Sequence, residues 1–393
     1  MTTKTLRQLF GGVGTVLLAA ALLTACSGTS ATSTPATHGA TGGQSTPGAP
    51  SGSAANPGQK PPLRGLIDMG IQTPYQSGQP FPVTDPNTLD AYAGAFSGIV
   101  VNESWSQLEP TQGVEQWAPL DQSLAAVSAW NAAHPSTPLG VKLRIFAGRS
   151  APAWVTSQSG TVDLVVNKVR EQVTVGKWWT PPFESAWHSF QLALAARYDA
   201  DPLVRQVSVS SCSSSTGEPF VVSGGLSSQA NLKAAGWTPQ AQGQCLSGAL
   251  SDYSGWKHTP ITFAFNPLPT GQGPDATFMD QLMGDCAASA SQGGPECIVG
   301  NNDLSPNIAD SKYSGPAVAQ MQHLQTGANP PVVYFQTDGA RLECPTIATG
   351  LTYHAQSIEL WSPNGHYAGF STQSAATLSQ WNQALVSGGS VSC

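Results

Sequence analysis

Eight apolar runs of strand length, separated by helical stretches and turn signals, constrain this chain more than any other feature. They are Leu63 to Ile71, Ser97 to Asn102, Leu139 to Ala147, Val204 to Ser210, Ile261 to Phe265, Cys297 to Asn301, Val332 to Gln336 and Ser357 to Trp361. Parallel strands are covered on both faces and need a crossover to reach their neighbours, so apolar runs alternating with helices indicate repeated βα units. Helices are expected at Pro119 to Ala133, Phe183 to Tyr198, Ala276 to Ser291, Pro316 to Gln325 and Ala376 to Val386. In the second of these, Phe183, Trp187, Phe190, Leu194 and Tyr198 recur at three- and four-residue spacing, an apolar face suited to the outside of a barrel. The expected fold is a single (β/α)8 TIM barrel over residues 63–393. The stretch Val221 to His258, rich in Gly, Ser and Gln, breaks the rhythm and reads as an elaborate loop over the barrel mouth, stapled by Cys245.

The amino terminus has a different character. Lys4 and Arg7 precede an apolar run from Val13 to Leu23 that is too short to span a bilayer stably, the pattern of an export signal over residues 1–25. Leu23-Thr24-Ala25-Cys26 resembles the lipobox of bacterial lipoproteins, which implies cleavage before Cys26 and acylation of its thiol; an ordinary secretory signal with an incidental Cys is the alternative. From there to Pro62 the chain is almost wholly Ser, Thr, Gly, Pro and Ala, too apolar-poor to offset the entropy of ordering. Residues 26–62 are thus expected to be a disordered tether. The expected location is extracytoplasmic, at the outer face of the bacterial cell membrane, held by a lipid and not threaded through it.

Setting Cys26 aside from the seven cysteines leaves Cys212, Cys245, Cys286, Cys297, Cys344 and Cys393. An even set in an exported chain suggests three disulfides. Fifteen pairings are possible; sequential neighbours are the expected set, with Cys393 tied back to Cys344. No CxxC or HxxxH pair supports a metal site, and nothing in the chain demands a cofactor. With 16 Lys plus Arg, no basic cluster and a net charge of −7, there is no footprint for nucleic acid. Oligomeric state is not legible in the sequence.

In a closed parallel barrel, catalytic groups sit on loops leaving the carboxyl ends of the strands. The fourth strand opens into Ser210-Ser-Cys-Ser-Ser-Ser-Thr-Gly-Glu218, small residues carrying one carboxylate. Glu218 is therefore a candidate proton donor, with a solvated loop acid as the plain alternative. Trp105, Trp154, Trp178, Trp179 and Trp361 lie at or beyond strand ends, where indole faces suit pyranose rings, although any single Trp is more often core than platform. Trp178 and Trp179 are adjacent and cannot both face one core, so at least one is expected to be exposed. The GxSxG, Walker, dinucleotide and HExxH motifs are all missing from the sequence.

The run Val101-Asn-Glu-Ser-Trp-Ser-Gln-Leu-Glu-Pro-Thr-Gln-Gly113, followed by Trp117 and Leu120-Asp121, resembles the second βα unit of retaining glycoside hydrolase barrels, the clan that includes cellulases and β-galactosidases. Ala151-Pro-Ala-Trp154 and Ala196-Arg-Tyr-Asp-Ala-Asp-Pro202 are similar to further pieces of those barrels. The resemblance covers residues 97–220; beyond it only the strand rhythm matches. It implies a carbohydrate partner and a glycosidase mechanism, with Glu218 at the acid/base position. Gly217 stands where that clan carries Asn, and Gln336 stands on the seventh strand where the nucleophilic carboxylate is expected.

Hydrolysis needs two carboxylates, and an amide serves as neither. Glu359, Asp338 and Asp303 are the replacements to consider. Glu359 is favoured, because a charge in an apolar central strand is costly unless it faces a polar barrel mouth; its rival reading is an ion partner of Arg144 or Lys142. Asp338 follows closely, having the parity of Gln336. Asn102 and Arg144 are candidates for binding sugar hydroxyls or orienting Glu218, and Glu109 reads as a turn acid that pins its loop. A barrel that binds glycans without cleaving them is the second functional reading.

Overall fold

The computed structural model describes residues 58–70, 80–166, 171–219, 225–266, 276–312, 314–338, 343–362 and 369–393. Cys26, the export signal, nearly all of the expected tether and the Ile71 end of the first expected strand lie outside them. Residues 58–62 run against the barrel: the Lys60 amide donates to His258 O at 2.7 Å, and its ammonium donates to Asp201 O, Val204 O and Thr259 Oγ1.

The first half of the described chain runs β1 (Gly65–Asp68), β2 (Gly98–Ser104), α1 (Trp105–Leu108), α2 (Ala118–Ala133), β3 (Gly140–Phe146), α3 (Ala153–Ser159), β4 (Thr161–Val166), β5 (Glu171–Gly176), α4 (Pro181–Tyr198) and β6 (Val204–Ser208). It continues through α5 (Gly225–Ala234), α6 (Pro239–Asp252), β7 (Ile261–Ala264), α7 (Ala276–Ala288), β8 (Cys297–Leu304), α8 (Ser314–Gln325), β9 (Val333–Thr337), α9 (Cys344–Thr352), β10 (Ala355–Leu360) and α10 (Ala375–Ser387). Strands β1, β2, β3, β6, β7, β8, β9 and β10 close into a parallel barrel, β10 pairing back onto β1. Every expected strand falls on one of these. All five expected helices are present, each within a few residues of its expected bounds.

Period-two alternation sorts the strand residues into two environments. Leu66, Ile99, Val101, Val141, Leu143, Val207 and Phe335 face outward into the main core, where the α4 residues Phe183, Trp187, Phe190, Leu194 and Tyr198 meet them. Two small apolar clusters lie apart from it, Leu63 with Ile67 and Val100, and Ala264 with Ile298 and Tyr334. They share the inward parity of Lys142, Arg144, Gln206, Ser208, Thr262, Gln336, Ser357 and Glu359. All eight of these polar residues are buried, so the barrel interior is polar over much of its height.

Two excursions decorate the barrel. Between β3 and α4, β4 and β5 form an antiparallel hairpin with Val162, Leu164, Val173 and Val175 buried and Thr161, Gln172 and Thr174 exposed. After β6, the stretch expected as a loop holds α5 and α6; Thr238 caps α6 by accepting from Ala241 N, and Pro239 starts it. The disulfides are Cys212–Cys245, Cys286–Cys297 and Cys344–Cys393, the sequential pairing expected.

Candidate active site

Glu218 sits on the loop leaving the fourth barrel strand, β6, and is 4 % exposed. Its Oε1 lies 2.6 Å from Nη2 of Arg144, which rises from β3. The same Nη2 pairs with Oε2 of Glu359 on the eighth barrel strand, β10, and Lys142 Nζ pairs with Oε1 of Glu359. Two carboxylates on one guanidinium nitrogen have their nearest oxygens within about 6 Å, two hydrogen-bond lengths. The rival reading of Glu359, an ion partner inside the barrel, describes its contacts: it is fully buried and both oxygens are engaged.

The surroundings drive the two carboxyls apart in proton affinity. Burial raises Glu218 above the ordinary glutamate range, Arg144 counters it, and the negative Glu359 adds to the rise. For Glu359 burial acts in the same direction, but Arg144 and Lys142 together outweigh it and hold the group below its ordinary range. Burial lowers Lys142 to about 8 despite Glu359 beside it. Its ammonium also rests 4.0 Å over the ring of Tyr334, a cation–π contact from β9. Tyr334 itself is pushed well above the usual phenol value by burial and by the two glutamates.

Gly217 has a steric explanation. A Cβ there would come within 2.6 Å of Arg144 Cδ and 2.7 Å of its Cγ. Glycine next to the acid is what allows the arginine to lie against it. Gln336 points inward from the seventh barrel strand, β9, is 6 % exposed, and its Oε1 has no hydrogen-bond partner among the described residues. Asp338 lies just past the end of β9, half-buried, its amide donating to Leu304 O at 3.2 Å. Asp303 accepts from Ser314 Oγ at 2.7 Å and so ties β8 to the first residue of α8.

The tryptophans divide. Trp105 and Trp178 are fully buried, which overturns their expected role as sugar platforms. Trp105 packs among Trp154, Phe183, Trp187 and Phe190 in the outer core, and its Nε1 donates to Glu109 Oε2 at 2.9 Å. Trp178 donates to Gln242 Oε1 at 2.7 Å. The physical reason is shared: each indole is turned back among the side chains of the surrounding helices, where its N–H finds a buried acceptor. Trp179, edge-on to Trp178, is half-buried and packs against the core, so neither of the adjacent pair is exposed as expected. Trp154 is half-buried and donates to Glu109 O at 3.1 Å. Trp361 follows β10 with the parity of Glu359 and donates to Thr337 O at 2.9 Å.

Glu109 pins its loop as expected, its Oε1 accepting from Gly113 N at 2.9 Å. Asn102 donates to Met69 O at 2.8 Å, joining the ends of β1 and β2. Two groups near this rim were missed by the sequence reading. Asp68 ends β1, nearly fully buried, raised to about 7 by burial, and accepts from Gly70 N at 3.1 Å; an acid closing an apolar strand was its signal. Tyr334 carried no signal beyond a polar tip inside a strand. A groove of about 560 Å³ lies at the opposite end of the barrel, lined by Gly140, Asp201, Leu203 and Arg205 among others. That amino-terminal face is where parallel barrels place stability and not chemistry.

Fold and site together define a closed (β/α)8 barrel with paired acids toward the carboxyl-terminal rim of its strands. No family model matches the chain, and no curated protein matches it. Among solved structures it is similar to endo-glycoceramidase II from Rhodococcus sp. in complex with a five-membered iminocyclitol: 16 % identity, TM-score 0.49, covering 85 % of this chain and 81 % of that one. The lactosyl-enzyme intermediate of the same enzyme is similar at 17 % identity and TM-score 0.46, with 85 % and 81 % covered. An endo-beta-1,4-glucanase from Xanthomonas axonopodis pv. citri is similar at 12 % identity and TM-score 0.45, with 82 % and 99 % covered.

Proposed function

We propose that this protein is a glycoside hydrolase in which Glu218 is the general acid and Glu359 the opposing carboxylate. One observation carries the reading: two buried carboxyls meet on Arg144 Nη2, and of the two Glu359 also pairs with Lys142, which favours its ionised form while burial favours the protonated form of Glu218. A glycosidase needs that division of labour, one group to hand a proton to the leaving oxygen and one to meet the positive charge that develops on the sugar ring. A separation of about 5 to 5.5 Å marks the retaining mechanism, and the shared contact with Arg144 Nη2 limits the nearest oxygens of the pair to about 6 Å. Lys142 and Arg144 favour the charged form of Glu359, and burial favours the protonated form of Glu218. Trp154 and Trp179, both half-buried, are the indoles left to wall the sugar subsites, Trp361 being buried.

Wild-type protein and Glu218→Gln are to be compared on a panel of labelled oligosaccharides and on aryl glycosides graded by leaving group. The reading requires wild-type turnover, with the variant losing natural substrates by about 10²–10⁴-fold while retaining aryl glycosides whose leaving groups need no proton. Equal rates for the two proteins would end it.

A second reading, a glycan-binding barrel without hydrolysis, is favoured by the engagement of both Glu359 oxygens and by the amide Gln336 on the seventh strand. Saturable binding of one glycan, with no cleavage across the panel, would select it. Surface attachment is proposed from Leu23-Thr24-Ala25-Cys26: in cells fed a labelled fatty acid, the wild-type chain acquires label and Cys26→Ser does not. Label on both would refute the anchor.

A further inference from the structure

We infer that α6 and the Cys212–Cys245 bridge form a clamp that positions Glu218, with Asp252 as one of its jaws. The inference rests on the proposed function and adds a role for residues outside the charge cluster. From Ser210 to Cys212, the start of the loop that carries the acid is held by one helix and its cap. Ser210 N donates to Tyr253 Oη at 2.8 Å, Ser211 Oγ donates to Asp252 Oδ2 at 2.6 Å, and Gln242 Nε2 donates to Cys212 O at 3.0 Å. Cys212 is bonded to Cys245 in the middle of α6. Trp187 of α4 donates to Ser211 Oγ at 2.8 Å, so that hydroxyl is fixed from both sides.

Two further observations mark this as positioning and not ordinary packing. Cys212 has φ 61°, a left-handed conformation that is unfavourable for a non-glycine residue and persists only where its surroundings over-determine it. The hold is also passed on to the acid: Ser210 Oγ donates to Gly217 O at 2.6 Å, and Arg149 N donates to Ser214 O at 2.9 Å. The loop is thereby folded back on itself, and the residue before Glu218 is tied to the clamped residue Ser210. Among the described residues the Glu218 carboxylate pairs with Arg144, so its direction is set by the loop from behind and by the guanidinium in front.

The test compares Cys212→Ala/Cys245→Ala with Cys286→Ala/Cys297→Ala, a bridge between α7 and β8 outside this loop. The Glu218 carboxyl is followed by 13C NMR, assigned with Glu218→Gln, and kinetics are measured on whichever glycoside the wild type cleaves. Release of the clamp should bring the Glu218 titration midpoint down toward the ordinary glutamate value and lower kcat by roughly a hundredfold with KM little changed. The control bridge should leave the midpoint where it is. Asp252→Ala, which keeps the disulfide, should move the midpoint in the same direction. An unmoved midpoint in the first variant, or equal movement in both bridge variants, overturns the clamp. Failure of the wild type to cleave any glycoside would remove the hydrolase reading while the titration still decides the inference.

Discussion

At the scale of single residues, Gly217 and Arg144 are one feature. The arginine lies against the acid loop because no Cβ stands at 217, and the nearest side-chain atoms are 2.6 and 2.7 Å from where one would be. Arg144 is fully buried and held by two carboxylates, so it has little freedom to yield. Gly217→Ala is therefore expected to cost about 1–3 kcal/mol, the usual range for overpacking, read as a lower denaturation midpoint with an unchanged denaturant slope; stability equal to wild type would contradict the packing described. Glu359 makes a stronger case. Glu359→Gln leaves Lys142 and Arg144 as buried cations with one carboxyl between them, and breaking such a group by removing a partner costs about 3–5 kcal/mol. Replacing Lys142 and Glu359 together by Met and Gln should restore part of that loss, and a double-mutant cycle measures how much.

At the scale of elements, the eight barrel strands were legible because the face each turns to the surrounding helices is apolar and turn signals bound it, and the α4 face was legible from its spacing. The β4–β5 hairpin was not recognised, although Thr161-Val-Asp-Leu-Val-Val166 and Gln172-Val-Thr-Val175 alternate in period two as a half-buried antiparallel pair does. A barrel template leads the eye past insertions. Glu218 was found because its place follows from strand count. The engagement of Glu359 by both Lys142 and Arg144 was open in the sequence, because alternation puts all three inside the barrel without saying which charges meet. Trp105 and Trp178 were misplaced because proximity to a strand end does not fix the direction of a side chain. The carboxyl terminus shows what an element gains from a staple: Cys393 lies beyond α10 and is bonded to Cys344 at the first turn of α9, 49 residues away. Removing that bridge by Cys344→Ser/Cys393→Ser is expected to cost about 2–4 kcal/mol, seen as a lower thermal midpoint in the oxidised protein and no difference from wild type after reduction.

At the scale of the whole molecule, several acids are buried where water cannot stabilise their charge, and they act on stability in one direction. Burial raises Glu103 to about 8, only partly relieved by Ser123 and the Ser104 amide, and raises Asp68 to about 7 and Asp252 to about 6. Each keeps its proton in the folded chain at pH values where the unfolded chain has released it. The folded state then binds more protons than the unfolded state, so stability falls as pH rises. For Glu103 the window opens near the ordinary glutamate value and closes near 8, with a slope of at most about 1.4 kcal/mol per pH unit. Glu359 acts the other way, but its depressed affinity matters only below the ordinary glutamate range, on the acid side of that window. Lys142, lowered to about 8, makes stability rise with pH only above that value. Between pH 5 and 8 the net expectation is a falling thermal midpoint. Glu103 lies on the helix side of β2, where among the described residues its side-chain partner is Ser123 Oγ at 3.4 Å, away from the Glu218 and Glu359 pair. Glu103→Gln should therefore keep the fold at pH 5 and flatten the decline toward pH 8, measured by thermal unfolding at matched ionic strength. A variant that declines as steeply as wild type would show that Glu103 is already ionised in the folded protein, and the buried acid would have to be charged without a cation beside it.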